Sequence, residues 1–130
     1  RVTLGSAVLV AHLTPGHTKG CTTWTLQVRE GESTRDVVIV GGPNVNPGYR
    51  LVGNARYPGI AQDYEMTFRT LGSLHCDYFL GAHGSYFDMA AKFERFKAGD
   101  AAAFIDPAGY RAFVGDREQA FRAELARQRR

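Results

Sequence analysis

The chain has 130 residues, of which 44% are hydrophobic and 22% charged, and it carries a formal net charge of +3. This is the size and composition of one ordinary folded domain, and no apolar run approaches the ~20 residues that a transmembrane helix needs. The basic residues are scattered, apart from a C-terminal group of arginines that a solvated helix face explains better than a nucleic-acid patch. Composition therefore argues against a membrane or nucleic-acid partner.

The first predicted element is a strand in the segment Ala7–Leu13, and the continuous apolar run Ala7–Ala11 within it is typical of a strand buried on both faces. Pro15 and Gly16 end it, and Gly20 allows a tight turn into the next strand. His17 is thus expected on a stiff loop at the end of a sheet. A neutral imidazole held by rigid backbone suits a metal ligand, although a lone turn histidine is usually a polar surface residue.

The next predicted elements form a hairpin, in which the alternating strand Thr22–Arg29 is followed by a return strand, Val37–Val40. The loop that follows, residues 41–49, contains two prolines and three glycines and cannot be a helix or a central strand. Because it leaves a buried strand, we expect it at the same sheet edge as His17. Asn44, in this loop, is interpreted either as a turn-forming residue or as a group that orients a substrate.

A second histidine follows a second strand end. His83 comes directly after the short apolar strand Asp77–Leu80 and before a helical pattern for which Ser85 is the expected N-cap. Histidines at two strand ends of one sheet can converge although they are far apart in sequence, and metal sites are commonly built in this way. His17 and His83 are therefore the candidate metal ligands.

The remaining pattern predicts two further helices. The first runs from Gly59 to about Leu71 and is ended by Gly72, and the second begins at Asp106–Pro107. The two cysteines permit at most one disulfide within the chain. Cys76 is expected to be a small buried residue, while Cys21, close to His17, is a less favoured ligand candidate. The other histidines, His12 and His75, are interpreted as polar or exposed, His12 alternatively as a support for a ligand.

Three segments, Thr14-Pro15-Gly16-His17-Thr18 with Gly20, Asn46-Pro47-Gly48-Tyr49, and Cys76-Asp77 to His83, together resemble the C-terminal half of a zinc metallo-β-lactamase. Within that family the chain is most similar to the third subclass, whose zinc ligands are mainly histidines. The resemblance implies an α/β fold, one β-sheet and helix half of an αββα sandwich, with residues 1–130 as the C-terminal portion of the domain. The His-x-His-x-Asp-His motif of the family's N-terminal half is absent from this sequence.

The resemblance also implies a site. His17 would be the last ligand of the three-histidine zinc and His83 the last ligand of the second zinc, so that two ions occupy the assembled site. Asn44 would contact substrate, and catalytic residues other than metal ligands would come from the missing half. The ligand-free stretch Gly42-Pro43-Asn44 fits the third subclass, since related lactone and thioester hydrolases usually place a bridging Asp near this point.

The implied function is zinc-dependent hydrolysis of the β-lactam amide bond, a basis of antibiotic resistance, by an enzyme of the bacterial periplasm or a secreted one. The implied partner is the N-terminal half of the same domain, in a separate or cleaved chain. The chain alone is expected to be inactive, because its two candidate ligands would serve two different ions. The alternatives are a lactone or thioester hydrolase of the same superfamily and a non-catalytic fragment or swapped assembly module.

Overall fold

A computed structural model describes all 130 residues as a five-stranded sheet packed against helices. None of the helices combines the length and the hydrophobicity that a membrane span requires. In chain order the elements are β1 (Val2–Leu4), β2 (Ala7–Leu13), β3 (Thr22–Glu30), β4 (Ser33–Val40), α1 (Ile60–Ser73), β5 (Tyr78–Gly81), a 3₁₀ turn (Gly84–Phe87), α2 (Met89–Lys97) and α3 (Pro107–Gln128).

Strand direction brings three strand ends to one edge of the sheet. The strands are arranged in sequence order, with antiparallel pairing from β1 to β4 and parallel pairing between β4 and β5. Consequently β2, β4 and β5 all run in the same direction and end at the same edge, which we call the histidine edge. This confirms the expectation that the loop after β4 lies at the same edge as the turn after β2.

One face of the sheet forms the hydrophobic core with the helices. Val38, Val40 and Phe79 lie on this face and belong to a cluster of 17 buried residues. Helices α1 and α3 meet through aromatic rings, with the centroids of Tyr64 and Phe121 5.2 Å apart. The apolar stripe predicted for α1 is therefore core packing.

The opposite face of the sheet, which we call the open face, is also apolar but poorly covered. Strand pairing places on it Leu9, Ala11, Leu13, Trp24, Leu26, Val28, Val37, Ile39 and Leu80. Of these only Val37 is buried, and Leu13 is 64% exposed. The prediction of a fully buried β2 is accordingly wrong. Its strand pattern suits two covered faces, whereas within this chain the sheet packs against helices on one face only.

Of the helix boundaries expected from the sequence, the start of α3 is confirmed and the end of α1 differs. Asp106 caps α3 by accepting a hydrogen bond from the Gly109 N–H at 2.9 Å, with Pro107 in the first turn, as predicted. Helix α1 continues through Gly72, which was expected to end it, and stops at Leu74, whose backbone is extended. A glycine inside a helix costs only about 1 kcal/mol relative to alanine. The burial of the aromatic side chains of α1 outweighs this cost.

The prediction of Ser85 as the N-cap of a helix is wrong. Residues 84–87 form a 3₁₀ turn, and α2 begins only at Met89, after Asp88 adopts a left-handed conformation with φ of 55°. The turn buries two consecutive aromatic side chains, Tyr86 and Phe87. This tertiary packing decides the local geometry, and a capping pattern in the sequence does not reveal it.

Candidate metal centre

Hydrogen bonds fix the backbone of the His17 loop. The hydroxyl of Thr67, on α1, donates to the carbonyl of Pro15 at 2.6 Å, and the hydroxyl of Tyr49 donates to the carbonyl of His17 at 2.9 Å. The Tyr49 ring also stacks on the imidazole, with centroids 5.7 Å apart. The structure thus identifies the residues that hold the loop, which the sequence predicted to be stiff.

Gly16 is required for this loop to pack against α1. Its φ of +129° is unfavourable for any residue with a side chain, and a Cβ built there would lie 2.7 Å from Cγ of Tyr64. The loop thus lies directly on the ring of a fully buried tyrosine. This contact fixes the distance between the neighbouring His17 and the core.

The His17 ring has the hydrogen-bonding pattern of a metal ligand. Its Nδ1 lies 2.8 Å from the carbonyl oxygen of Asn44, which can only accept, so Nδ1 carries the proton. The neutral ring then has its lone pair on Nε2. Metal-binding histidines commonly donate their other ring N–H to a carbonyl or carboxylate in this way. Tyr64 supports the same carbonyl by donating its hydroxyl proton at 2.7 Å. The half-buried His17 therefore fits a zinc ion on chemical grounds.

His83 lies at the same edge, two residues beyond the end of β5. Its backbone is extended, its side chain is exposed, and its ring meets the ring of Tyr86 edge-on with centroids 5.1 Å apart. The Asn44 side chain donates from Nδ2 to the Tyr86 hydroxyl at 3.2 Å. A continuous series of contacts thus connects His17 through Asn44 and Tyr86 to His83.

Asn44 points inward rather than freely into solvent. Its side chain is half-buried, and its Oδ1 is buried without a hydrogen-bond partner. The role of Asn44 in substrate binding stays a prediction. Its backbone carbonyl contacts His17 and its side-chain amide nitrogen contacts Tyr86, so that Asn44 connects the two candidate ligands.

A cavity of about 300 Å³ opens beside His17. It is lined in part by His17, Tyr49, Asn54 and Tyr57. The Tyr57 hydroxyl donates to the carboxylate of Asp63, and this contact fixes the rim of the cavity to α1. The space can accept a small molecule next to the imidazole.

Cys21 and His12, near the His17 loop, make other contacts, and Cys76 is buried in the core. Cys21 is a free thiol that donates to the carbonyl of Gly42 at 3.3 Å, and burial raises its pKa. His12 contacts the Thr25 hydroxyl through Nε2 at 2.8 Å. Cys76 is buried as expected, and burial raises its pKa to about 12, so it remains a protonated apolar residue.

A second group of ligand-type side chains lies at the opposite edge of the sheet. Asp36, His75 and Asp77 bring their ligand atoms within 4.8 Å of one another. His75 is exposed, as expected, and its Nδ1 lies 2.6 Å from the Asp36 carboxylate, whereas Asp77 accepts from the Asp36 N–H at 2.8 Å. Gln27 and His75 hydrogen bonds lower the pKa of Asp36. Sequence reasoning missed this cluster because only the parallel register of β4 and β5 brings residues 36 and 77 together.

The chain is similar in structure to several metallo-β-lactamases. No family model matches the sequence. Among solved structures, the native FEZ-1 metallo-β-lactamase from Legionella gormanii is 44% identical over 99% of this chain, with a TM-score of 0.97. BJP-1, a subclass B3 metallo-β-lactamase of Bradyrhizobium japonicum, is 38% identical over 98%, with a TM-score of 0.88. The class B3 di-zinc metallo-β-lactamase LRA-12 from an Alaskan soil metagenome is 27% identical over 94%, with a TM-score of 0.82. The chain spans only 49%, 48% and 46% of these three proteins, respectively.

Proposed function

Because this chain has the fold of one half of a subclass B3 metallo-β-lactamase and shares up to 44% sequence identity with such enzymes, we propose that it is the C-terminal half of a β-lactam-hydrolysing domain. The chain spans about half the length of those structures, so hydrolysis is a property of the assembled domain and requires the N-terminal half. The observation that carries the proposal is the hydrogen bond from His17 Nδ1 to the Asn44 carbonyl, which leaves Nε2 free for a metal.

His17 and His83 would each hold one of two zinc ions. Zinc bound there supplies Lewis-acid chemistry that activates water and polarises the lactam carbonyl. The residues of this chain orient the ligands: the Asn44 carbonyl keeps the proton on His17 Nδ1, and Tyr49 fixes the loop backbone. The cavity beside His17 offers space for a substrate, with Tyr49 and Tyr57 as walls.

The open face supports the need for a second half. It presents a sheet-wide apolar surface of the kind that soluble proteins rarely leave exposed, and such surfaces mark association sites. Leu13, at 64% exposure, is its most accessible leucine. A second sheet from the N-terminal half would bury this face and complete the αββα sandwich. Export to the periplasm and a role in antibiotic resistance are part of the same proposal.

The test uses an assembled domain, in which this chain replaces the matching half of the Legionella gormanii enzyme. Hydrolysis of a carbapenem and of an acyl homoserine lactone is measured in parallel, together with bound zinc. We expect two zinc ions and carbapenem turnover. His17→Ala and His83→Ala should each lower zinc occupancy and reduce turnover at least 100-fold, whereas Gln119→Ala, at an exposed position of α3, should change neither.

Other outcomes would reverse the proposal in defined ways. Lactone turnover without carbapenem turnover would favour the lactone hydrolase alternative. An assembled domain that folds but binds no zinc would favour a non-catalytic module. Unchanged zinc occupancy in both histidine variants would remove His17 and His83 from the metal centre.

A further inference from the structure

We propose that Tyr86 is a positioning residue that couples the two metal ligands, a role that rests on the proposed function. The side chain is buried, with 8% exposure, on the turn between β5 and α2. Its ring contacts His83 and its hydroxyl contacts Asn44, the residue whose carbonyl orients His17. One side chain therefore contacts both the ligand after β5 and the support of the ligand after β2.

The backbone around Tyr86 is shaped to accept it. A Cβ at Gly81, the last residue of β5, would lie 2.8 Å from Cδ2 of Tyr86. A Cβ at Gly42, in the loop after β4, would lie 3.1 Å from the Tyr86 hydroxyl oxygen. Two neighbouring strand ends thus carry glycine where the ring needs space. Tyr86 fills the gap between them, and Phe113 of α3 supports the ring from behind, with centroids 4.9 Å apart.

The Tyr86 hydroxyl provides the only hydrogen-bond partner of the Asn44 side chain. Because Asn44 Oδ1 is buried without a partner, the bond from Nδ2 to Tyr86 is the one hydrogen bond that its side chain makes within the chain. Removing that bond leaves the half-buried amide unsatisfied, and the loop relaxes to satisfy it. The Asn44 carbonyl then moves, and it no longer holds the His17 ring in a fixed orientation.

The test measures zinc affinity of the assembled domain by competition with a chelator. We expect Tyr86→Phe to weaken zinc binding about tenfold, as for other groups that orient metal ligands. Asn44→Ala should give a similar loss, and the double variant should lose little more than either single variant, because both remove the same bond. Tyr110→Phe is the matched control, since Tyr110 is an equally buried tyrosine whose hydroxyl donates to the Leu71 carbonyl at 2.6 Å, outside the site.

The outcomes are separable from those for the proposed function. Zinc affinity is read without any substrate, so a domain that hydrolyses a lactone instead of a β-lactam still tests Tyr86. Zinc binding by Tyr86→Phe within twofold of the unsubstituted domain would overturn the inference. An equal loss in Tyr110→Phe would also overturn it, because the effect would then follow general stability. Fully additive losses in Tyr86→Phe and Asn44→Ala would likewise contradict a shared role.

Discussion

The ammonium of Lys92 lies 2.9 Å from a carboxylate oxygen of Asp106, and the Lys92 side chain is only 4% exposed. The ammonium also lies over the ring of Phe79, 5.2 Å from its centroid. Lys92 is on α2 and Asp106 is the cap of α3, so this pair fixes the helix that follows His83 to the longest helix of the chain. It is the most buried ion pair of the structure.

Replacing Lys92 should destabilise the assembled domain. Lys92→Met leaves the partly buried Asp106 carboxylate without its partner, and we expect a loss of about 2 kcal/mol in the free energy of unfolding, below the value for a fully buried pair because Asp106 is 34% exposed. Lys97→Met is the control on the same helix. Its pair with Glu94 is exposed, so the change should stay within about 0.5 kcal/mol. Urea unfolding of both variants decides, and equal losses would contradict the prediction.

The same pair predicts a pH dependence. Burial raises the pKa of Asp106, but the Lys92 ammonium and the hydrogen bond from the Gly109 N–H lower it by more, so the folded chain has the lower pKa. The stabilisation is therefore fully present above the unfolded value, about 4, and is lost as the pH falls through the lower folded pKa. We expect Asp106→Asn to be less stable at pH 6 but to lose less stability between pH 5 and pH 3 than the unsubstituted domain. Parallel curves from urea titrations at several pH values would exclude this contribution.

A side chain at Gly16 should disrupt the His17 loop. Gly16→Ala combines a left-handed backbone with a Cβ 2.7 Å from the Tyr64 ring, and we expect a loss of about 2–4 kcal/mol in the free energy of unfolding. Gly20→Ala, in the same loop, has nothing within 4 Å of the new Cβ and should be nearly neutral. Thermal unfolding compares the two. If Gly16→Ala is as stable as Gly20→Ala, the loop does not rest on Tyr64 as described.

Gln128 should hold the loop that carries Tyr49. Its Oε1 accepts from the Leu51 N–H at 2.7 Å, and its Nε2 donates to the Tyr49 carbonyl at 2.8 Å. We expect Gln128→Ala to increase amide hydrogen exchange at Leu51 roughly tenfold, from the loss of about 1–2 kcal/mol of local stability. Gln119→Ala, on an exposed position of α3, should leave that amide unchanged. Unchanged exchange in Gln128→Ala would show that other contacts fix the loop.

The sequence predicted those parts of the fold that depend on local chemistry. The Asp106–Pro107 helix start, the hairpin and the strand before His83 all rest on capping, alternation and turn residues, and the structure confirms them. The 3₁₀ turn at residues 84–87 could not be predicted in this way, since it depends on the burial of two aromatic rings, Tyr86 against Phe113 of α3 and Phe87 against Phe79 of β5.

The candidate site divides along the same line. Both histidines could be proposed from glycine-rich turns after apolar strands, because such turns present a side chain at a sheet edge. Tyr86 could not, because its contact with Asn44 joins residues 42 positions apart in sequence. The same holds for the carbonyl that orients His17, which comes from a residue 27 positions away. Ligands leave a local signal, whereas the groups that orient them depend on the folded arrangement.

The hairpin turn between β3 and β4 lies far from the two histidines because of the strand directions. Residues 31–32 connect the two strands at the edge opposite the histidines, and Gly31 there has a φ of +60° with open space around it. The eight residues of β4 at about 3.3 Å each separate this turn from the histidine edge by roughly 26 Å. Glu32, beside Gly31, is therefore a suitable position for a fluorescent dye that tests docking of the proposed second sheet while remaining remote from the histidine edge.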